Sequence, residues 1–312
     1  MSLIVYTHPS SHRHVTPPGH PERVARIETV DGVLDGAEYD GRLNRREAPA
    51  APIDALKRAH DPEYVEAIIS VAPPQGSISL DADTHMSVGS LEAAYHAAGS
   101  NIAAVDAVLG GEASAAFCAV RPCGHHAERD RAMGFCLFNN VAVGAAHAIH
   151  AHGLKRVAII DFDVHHGNGT QHIFEAEPRV LFASTHQMPL YPGTGAASET
   201  GVGNIVNVPL APMTGGQQMR SAYGDTILPQ IAAWQPELVM ISAGFDAHMN
   251  DPLASLNWFD SDFGWVTTEI CKLARDVAGG RVVSTLEGGY DLEGLAESLR
   301  HHLDALIAHV EA

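Results

Sequence analysis

Short apolar runs rich in β-branched residues recur along the chain at Leu3–Tyr6, Ala115–Val120, Val157–Phe162, Val180–Ser184, Ile205–Val208, Leu238–Ser242 and Arg281–Leu286. They lack the apolar–polar alternation of a half-buried strand, so each reads as a strand buried on both faces. Between them, apolar residues return at helical spacing in Leu91–Leu109, Asn140–His150, Gly216–Ala232, Asp262–Ala278 and Leu292–His309. Strands and helices in alternation predict the α/β class, with a parallel sheet covered by helices on both sides. No Ser/Gly-rich linker, long charge run or internal repeat divides the 312 residues. Ala48–Ile53 (APAAPI) is too short for a flexible tether. One domain spanning 1–312 is expected.

Polar residues able to bind metal or move protons follow these strands. His125 and His126 come after the second run; Asp161, Asp163 and His165 lie at the end of the third; Ser184, Thr185 and His186 end the fourth. Asp246 follows the sixth run and Tyr290 the seventh. The carboxyl ends of the strands of an open α/β sheet meet in one crevice, where ligands bind. In extended backbone Asp161, Asp163 and His165 share a face. Asp163 and His165 can then reach one metal, with Asp246 as third ligand. Three protein ligands and an open position suit catalytic zinc, and iron(II) or cobalt fits the same mixed set. A single aspartate at a strand end is more often a turn residue or helix cap; three that converge favour a metal.

Two imidazoles beside an activated water can divide the roles of general base and electrostatic stabiliser, each needing a partner on its other ring nitrogen. Asp161 and Asn168 are the expected partners of His125 and His126. After two glycines, the Tyr290 phenol is placed to stabilise a developing oxyanion. Twenty histidines counsel restraint, and His8, His12, His14, His96, His147, His150, His152, His301, His302 and His309 read as structural or solvated.

Composition narrows the partners. A formal charge of −18 argues against a nucleic-acid ligand and is compatible with a cationic substrate, although solubility alone accounts for it. Cys118, Cys123, Cys136 and Cys271 show neither CxxC spacing nor a disulfide framework, which suggests a reducing, cytoplasmic setting. The amino-terminal stretch lacks the apolar length of a signal peptide, and no segment has the 18 or more apolar residues of a membrane span.

RPCGHHA, GFCLFNNVA, DFDVHHGNGTQHIF, AGFDAH, LEGGY and the earlier HPERVARI resemble, in order, the histone deacetylase superfamily, and within it the class II and bacterial deacetylase-like branch. The resemblance runs from about residue 8 to 295. It implies the arginase/deacetylase three-layer α/β/α sandwich around a largely parallel eight-stranded sheet. It also implies zinc on Asp163, His165 and Asp246, His126 as general base and then acid, and His125, held by Asp161, as electrostatic catalyst. Asn168 stands where class II relatives carry an amide, and Tyr290 resembles the carbonyl-polarising tyrosine. Gly134, Phe135 and Tyr191 resemble the walls of an acyl-lysine tunnel, with Arg26 beneath it. Many relatives carry Phe where Tyr191 stands. A potassium ion is implied near Asp161, Asp163, His165, Ser184 and Thr185, and Phe174, Glu177 and Val180 resemble part of a second potassium site.

The function implied is removal of acetyl or other acyl groups from lysine side chains or related amines, by a monomer or a homo-oligomer. An acetylpolyamine amidohydrolase shares this chemistry. Polyamine-selective relatives can carry Glu in the segment that here reads Asp251-Pro252-Leu253, and Leu253 resembles the protein deacetylase version. Asp83 is a candidate rim carboxylate, or else a turn residue. An arginase-type two-manganese site wants a carboxylate at the position of Gly167, and an inactive acyl-lysine binding module would lack a zinc ligand or Tyr290.

Overall fold

The computed structural model describes residues 2–312. In chain order its strands are β1 (Leu3–Thr7), β2 (Leu43–Glu47), β3 (Ser77–Ser79), β4 (His85–Ser87), β5 (Ala115–Cys118), β6 (Val157–Asp161), β7 (Val180–Gln187), β8 (Ile205–Leu210), β9 (Leu238–Ala243) and β10 (Val282–Leu286). The helices are α1 (Val24–Leu34), α2 (Ile53–Ala59), α3 (Pro62–Val71), α4 (Ser90–Leu109), α5 (Asn140–His150), α6 (Asn168–Phe174), α7 (Gly216–Ala222), α8 (Leu228–Trp234), α9 (Asp260–Val277) and α10 (Leu292–Glu311). Eight strands form one sheet in the order β2-β1-β5-β10-β9-β6-β7-β8, and every pairing in it is parallel.

Successive residues of each central strand enter opposite cores, as a period of two requires. Leu3, Val5, Ala158, Ile160, Val239 and Ile241 pack with α1, α9 and α10, whereas Ile4, Tyr6, Val157, Ile159, Leu238 and Met240 pack with α2, α3, α4 and α5. The chain is therefore α/β in three layers, as expected.

All seven anticipated strands are present. The eighth, β2, reads LNRRE; it pairs only with β1 and is half exposed, so its apolar signal is absent. The helix expected over Gly216–Ala232 is interrupted by a π turn at Tyr223–Ile227. Pro229, in the first turn of α8, has no N–H to give the preceding turn, which accounts for the change of hydrogen-bond pattern there. Ala48–Ile53 is no tether: Ala48 N–H donates to Thr7 O (2.8 Å), Ala51 N–H to Tyr95 O (2.9 Å), and Ile53 begins α2.

Candidate active site

Strands β5, β10, β9 and β6 are consecutive neighbours in the sheet, and the segments that follow them build one buried cluster. Register places Asp161 opposite Ser242, so the segments bearing Asp163 and Asp246 leave the sheet side by side. β6 ends at Asp161, and Asp163 and His165 lie in the loop beyond it. Strand alternation, which the sequence pattern predicts for these residues, is thus not what aims them; loop hydrogen bonds do it instead. Asp163 N–H donates to Asp161 Oδ1 (3.0 Å), Val164 N–H to Asp246 Oδ1 (2.9 Å) and His165 N–H to Asp163 Oδ1 (2.9 Å).

His165 Nδ1 lies 3.2 Å from Asp163 Oδ1 and 3.0 Å from Asp246 Oδ2, and one atom from each of the three side chains falls within 4.8 Å of the others. All three residues are buried. Burial pushes the Asp246 carboxyl up to about 7, with the neighbouring Asp163 charge adding to it. Burial opposes charge on His165 too, but Asp163 and Asp246 outweigh it and lift the imidazole to about 10. A buried carboxylate that ionises reluctantly and an imidazole held as a cation mark a place where positive charge is wanted. Gly288 has the same implication: its N–H donates to Asp163 Oδ2 (2.8 Å), and a Cβ there would collide with Asp246 and Asp163. Two carboxylates and one imidazole suit a divalent ion with an open position, so the residues present fit the implied metal.

The tandem histidines have the partners expected of them. His125 Nδ1 is 2.9 Å from Asp161 Oδ2, and His126 Nδ1 is 2.8 Å from Asn168 Oδ1. Their environments drive the two rings apart. Burial disfavours charge on both, but the Asp163 and Asp161 carboxylates override it at His125 and raise its pKa well above the usual imidazole range. At His126 burial is reinforced by His125 and His165, and its pKa falls well below that range. One imidazole is held charged and the other neutral, a split that separates an electrostatic group from a base.

Tyr290 is buried, and burial raises its phenol well above 10, so the hydroxyl keeps its proton. Arg26 fixes this segment by donating from Nε to Gly289 O (2.6 Å) and from Nη2 to Glu287 O (2.5 Å), with its guanidinium 4.9 Å from the Tyr290 ring centroid. Above the cluster is a pocket of about 220 Å³ lined by Asp83, His126, Gly134, Phe135, His165, Leu190, Tyr191, Leu253 and Tyr290. Larger surface hollows lie elsewhere, but none of them is lined by His126, His165 or Tyr290. Gly134 and Phe135 both have positive φ (55° and 70°), which turns the Phe135 ring to 5.8 Å from Tyr290. Tyr191 lines the pocket with its ring 5.2 Å from that of His126.

Asp83 lies between β3 and β4, which form an antiparallel hairpin, so it is a turn residue that also lines the pocket. The hairpin is tied to the wall because Phe135 N–H donates to Thr84 Oγ1 (3.1 Å). Ser184 and Thr185 are buried in β7, and their hydroxyls meet His186 Nδ1 (2.9 Å) and Tyr223 Oη (3.2 Å). The carbonyls of Phe174, Glu177 and Val180 all lie on Asn204 Nδ2, at 2.8, 3.1 and 2.8 Å.

Three further residues, none of them expected from the sequence, help to build the site. Glu128 Oε1 accepts from Asn168 Nδ2 (2.6 Å). Glu287 Oε2 accepts from the N–H groups of Gly124 (2.7 Å) and His125 (3.2 Å), fixing the turn that carries the histidines. His20 packs 4.7 Å from Phe135 and bonds to Asp83 O (2.9 Å). Glu128 directly follows the motif that carries the histidines and Glu287 stands inside the one that carries Tyr290, and those neighbours are the only sequence signals that single them out.

Comparison with known proteins agrees with this geometry. The family described as Histone deacetylase domain matches residues 20–306. The chain is 40% identical to the histone deacetylase-like amidohydrolase of Pseudomonas aeruginosa, over 88% of this chain and 74% of that protein. It is 36% identical to the polyamine deacetylase HDAC10 of Homo sapiens, over 88% of this chain and 43% of that one. The crystal structure of the HDA15 HD domain superposes with a TM-score of 0.93 at 35% identity, covering 98% of this chain and 88% of that one. The chain belongs to the histone deacetylase family and is a hydrolytic deacetylase.

Proposed function

We propose that the whole chain, 1–312, acts as one catalytic domain that hydrolyses the acyl amide of acylated lysine side chains or related amines with the help of a divalent metal. The observation that carries this is the meeting of Asp163, His165 and Asp246 with His126 and Tyr290 at the floor of the narrow pocket. Asp163, His165 and Asp246 would hold the metal, zinc by donor type, with iron(II) or cobalt acceptable to the same set. Bound there, such an ion lowers the pKa of water to about 7 and polarises a carbonyl.

The protein's own groups do the rest. His126, with Nδ1–H given to Asn168 Oδ1, presents Nε2 to take a proton from the attacking water. The same nitrogen then delivers that proton to the leaving amine nitrogen, so a carboxylic acid and an amine result, and transfer of the remaining water proton between them gives carboxylate and ammonium. His125, whose Nδ1 pairs with Asp161 Oδ2, offsets the negative charge of the addition step. Tyr290 donates its hydroxyl hydrogen to the substrate carbonyl oxygen. Phe135, Leu190, Tyr191 and Leu253 supply walls for an aliphatic side chain, with Asp83 at the rim. A potassium ion near Asp161, Asp163, His165, Ser184 and Thr185 remains part of this reading; with both hydroxyls already partnered, main-chain oxygens would be its principal ligands. Four buried, unpaired cysteines support a reducing compartment such as the cytoplasm, and no helix among the described residues is long and apolar enough to cross a membrane.

Leu253 in the pocket wall favours a lysine side chain over a polyamine, whose second ammonium would gain nothing from a leucine. The polyamine reading keeps support from the similarity to the human polyamine deacetylase. Hydrolysis of an acetyl-lysine peptide and of N-acetylputrescine by the metal-loaded enzyme, measured in parallel, separates them. Preference for the peptide is expected; preference for the acetylated diamine would move the assignment to polyamines.

A further inference from the structure

At the far end of α5 from the active site, two imidazoles converge on one carboxylate of the neighbouring helix. Asp106 Oδ1, on α4, lies 2.7 Å from His147 Nε2 and 2.6 Å from His152 Nε2. His147 is in the last turn of α5, and His152 follows its cap residue Ala151. The two rings meet edge to face with centroids 5.4 Å apart. One donor atom from each residue lies within 4.8 Å of the others, and the Asp106 side chain is 52% exposed.

We propose that Asp106, His147 and His152 form a second metal site, for a borderline-soft divalent transition ion such as zinc, completed by water. Two imidazoles and one carboxylate are a zinc-type donor set, whereas magnesium and calcium take oxygen ligands. Both rings already direct Nε2 at one point, so little ordering remains to be done on binding. Zinc bonds of about 2.0–2.2 Å put tetrahedral ligand atoms roughly 3.3 Å apart. The two Asp106–imidazole distances must therefore open from 2.7 and 2.6 Å to roughly 3.3 Å, which the exposed Asp106 side chain can supply by rotation. Each neutral ring gives up its Nε2 proton as its Nδ1 takes one from water, so binding leaves the ring charge unchanged. The carboxyl end of α5, with its outward carbonyls, and the chain's net charge of −18 both favour a cation here.

A second such cluster, Glu128, Asp130 and His172, offers one imidazole, and its Glu128 is already engaged by Asn168 and Arg131. It lacks the paired nitrogen donors. His147 stands seven residues beyond Asn140, about 10 Å of helix, and it is the opposite end of α5, at its cap Asn139, that touches His125 O, so an ion here would clip α4 to the end of α5 and leave the reaction untouched.

The test is equilibrium dialysis of chelator-stripped wild type, His147→Ala/His152→Ala and Asp246→Ala against buffered micromolar zinc, followed by metal analysis. The proposal expects the double variant to bind one zinc per chain fewer than wild type while keeping its hydrolytic rate and circular dichroism. It also expects zinc to raise the melting temperature of wild type by more than that of the double variant. Equal zinc content in wild type and the double variant would overturn it. Asp246→Ala reports separately on the crevice, so failure of the catalytic reading cannot be mistaken for failure of this one.

Discussion

Glu128 Oε1 accepts a hydrogen bond from Asn168 Nδ2 at 2.6 Å, and that contact decides which end of the Asn168 amide faces His126. A carboxylate can only accept, so Asn168 must turn its NH₂ to Glu128 and its Oδ1 to His126 Nδ1, 2.8 Å away. His126 then carries its proton on Nδ1 and keeps the lone pair of Nε2 for the reaction. Glu128 is a positioning residue acting through two others.

Glu128→Ala should lower kcat about tenfold with little change in KM, because the amide is then free to present the wrong atom. Aspartate at 168 is acceptor-only on both oxygens and needs no such orientation. Asn168→Asp should therefore recover activity in the Glu128→Ala background, while beside intact Glu128 it brings two carboxylates together and loses activity. Steady-state kinetics of the two single variants and the double variant check this; a double variant worse than either single one would contradict it.

Tyr290→Phe removes the hydroxyl and leaves the ring that packs against Phe135. The expected loss is about 10²–10³ in kcat, with binding of the substrate nearly unchanged. Comparing kcat with KM on an acetyl-lysine peptide distinguishes this from a packing defect, which would raise KM or lower the melting temperature.

The loop that carries the site also makes the fold sensitive to acid. His60 is buried, donates from Nδ1 to Glu128 O (2.8 Å) and accepts at Nε2 from Asn139 N–H (2.9 Å); burial pushes its pKa down to about 4. In the unfolded chain an imidazole titrates near 6.5. Between these values the unfolded state binds more protons, so stability is complete above about 6.5 and falls as pH drops towards 4. From pH 7 to 5 the loss due to His60 is about 2 kcal/mol. Urea midpoints at the two pH values should converge in His60→Gln relative to wild type; an unchanged difference would assign the acid sensitivity to other groups.

What the sequence made visible follows from burial. The seven strands stood out because both faces are apolar, while β2 carries Asn44, Arg45 and Arg46 on an exposed edge and has no such pattern. The crevice was legible because the polar residues that build it interrupt apolar runs at their carboxyl ends, where a parallel sheet collects them. The tilt of the loop from Asp161 to His165 was not, since it is set by hydrogen bonds to Asp246 and to the loop's own carboxylates rather than by strand period. Glu128 resembled any charged residue beside a motif until its contact with Asn168 was seen. Asp106 and His147 stand 41 positions apart, and no local pattern links them.

The most direct test of the account is zinc titration of metal-depleted wild type and Asp246→Ala while hydrolysis of an acetyl-lysine peptide is followed. Activity should appear with added metal in wild type, vanish with chelator, and stay absent in a folded Asp246→Ala variant. Turnover by the metal-depleted protein, or by Asp246→Ala at the wild-type rate, would contradict the assignment of Asp163, His165 and Asp246 as the metal site of the reaction.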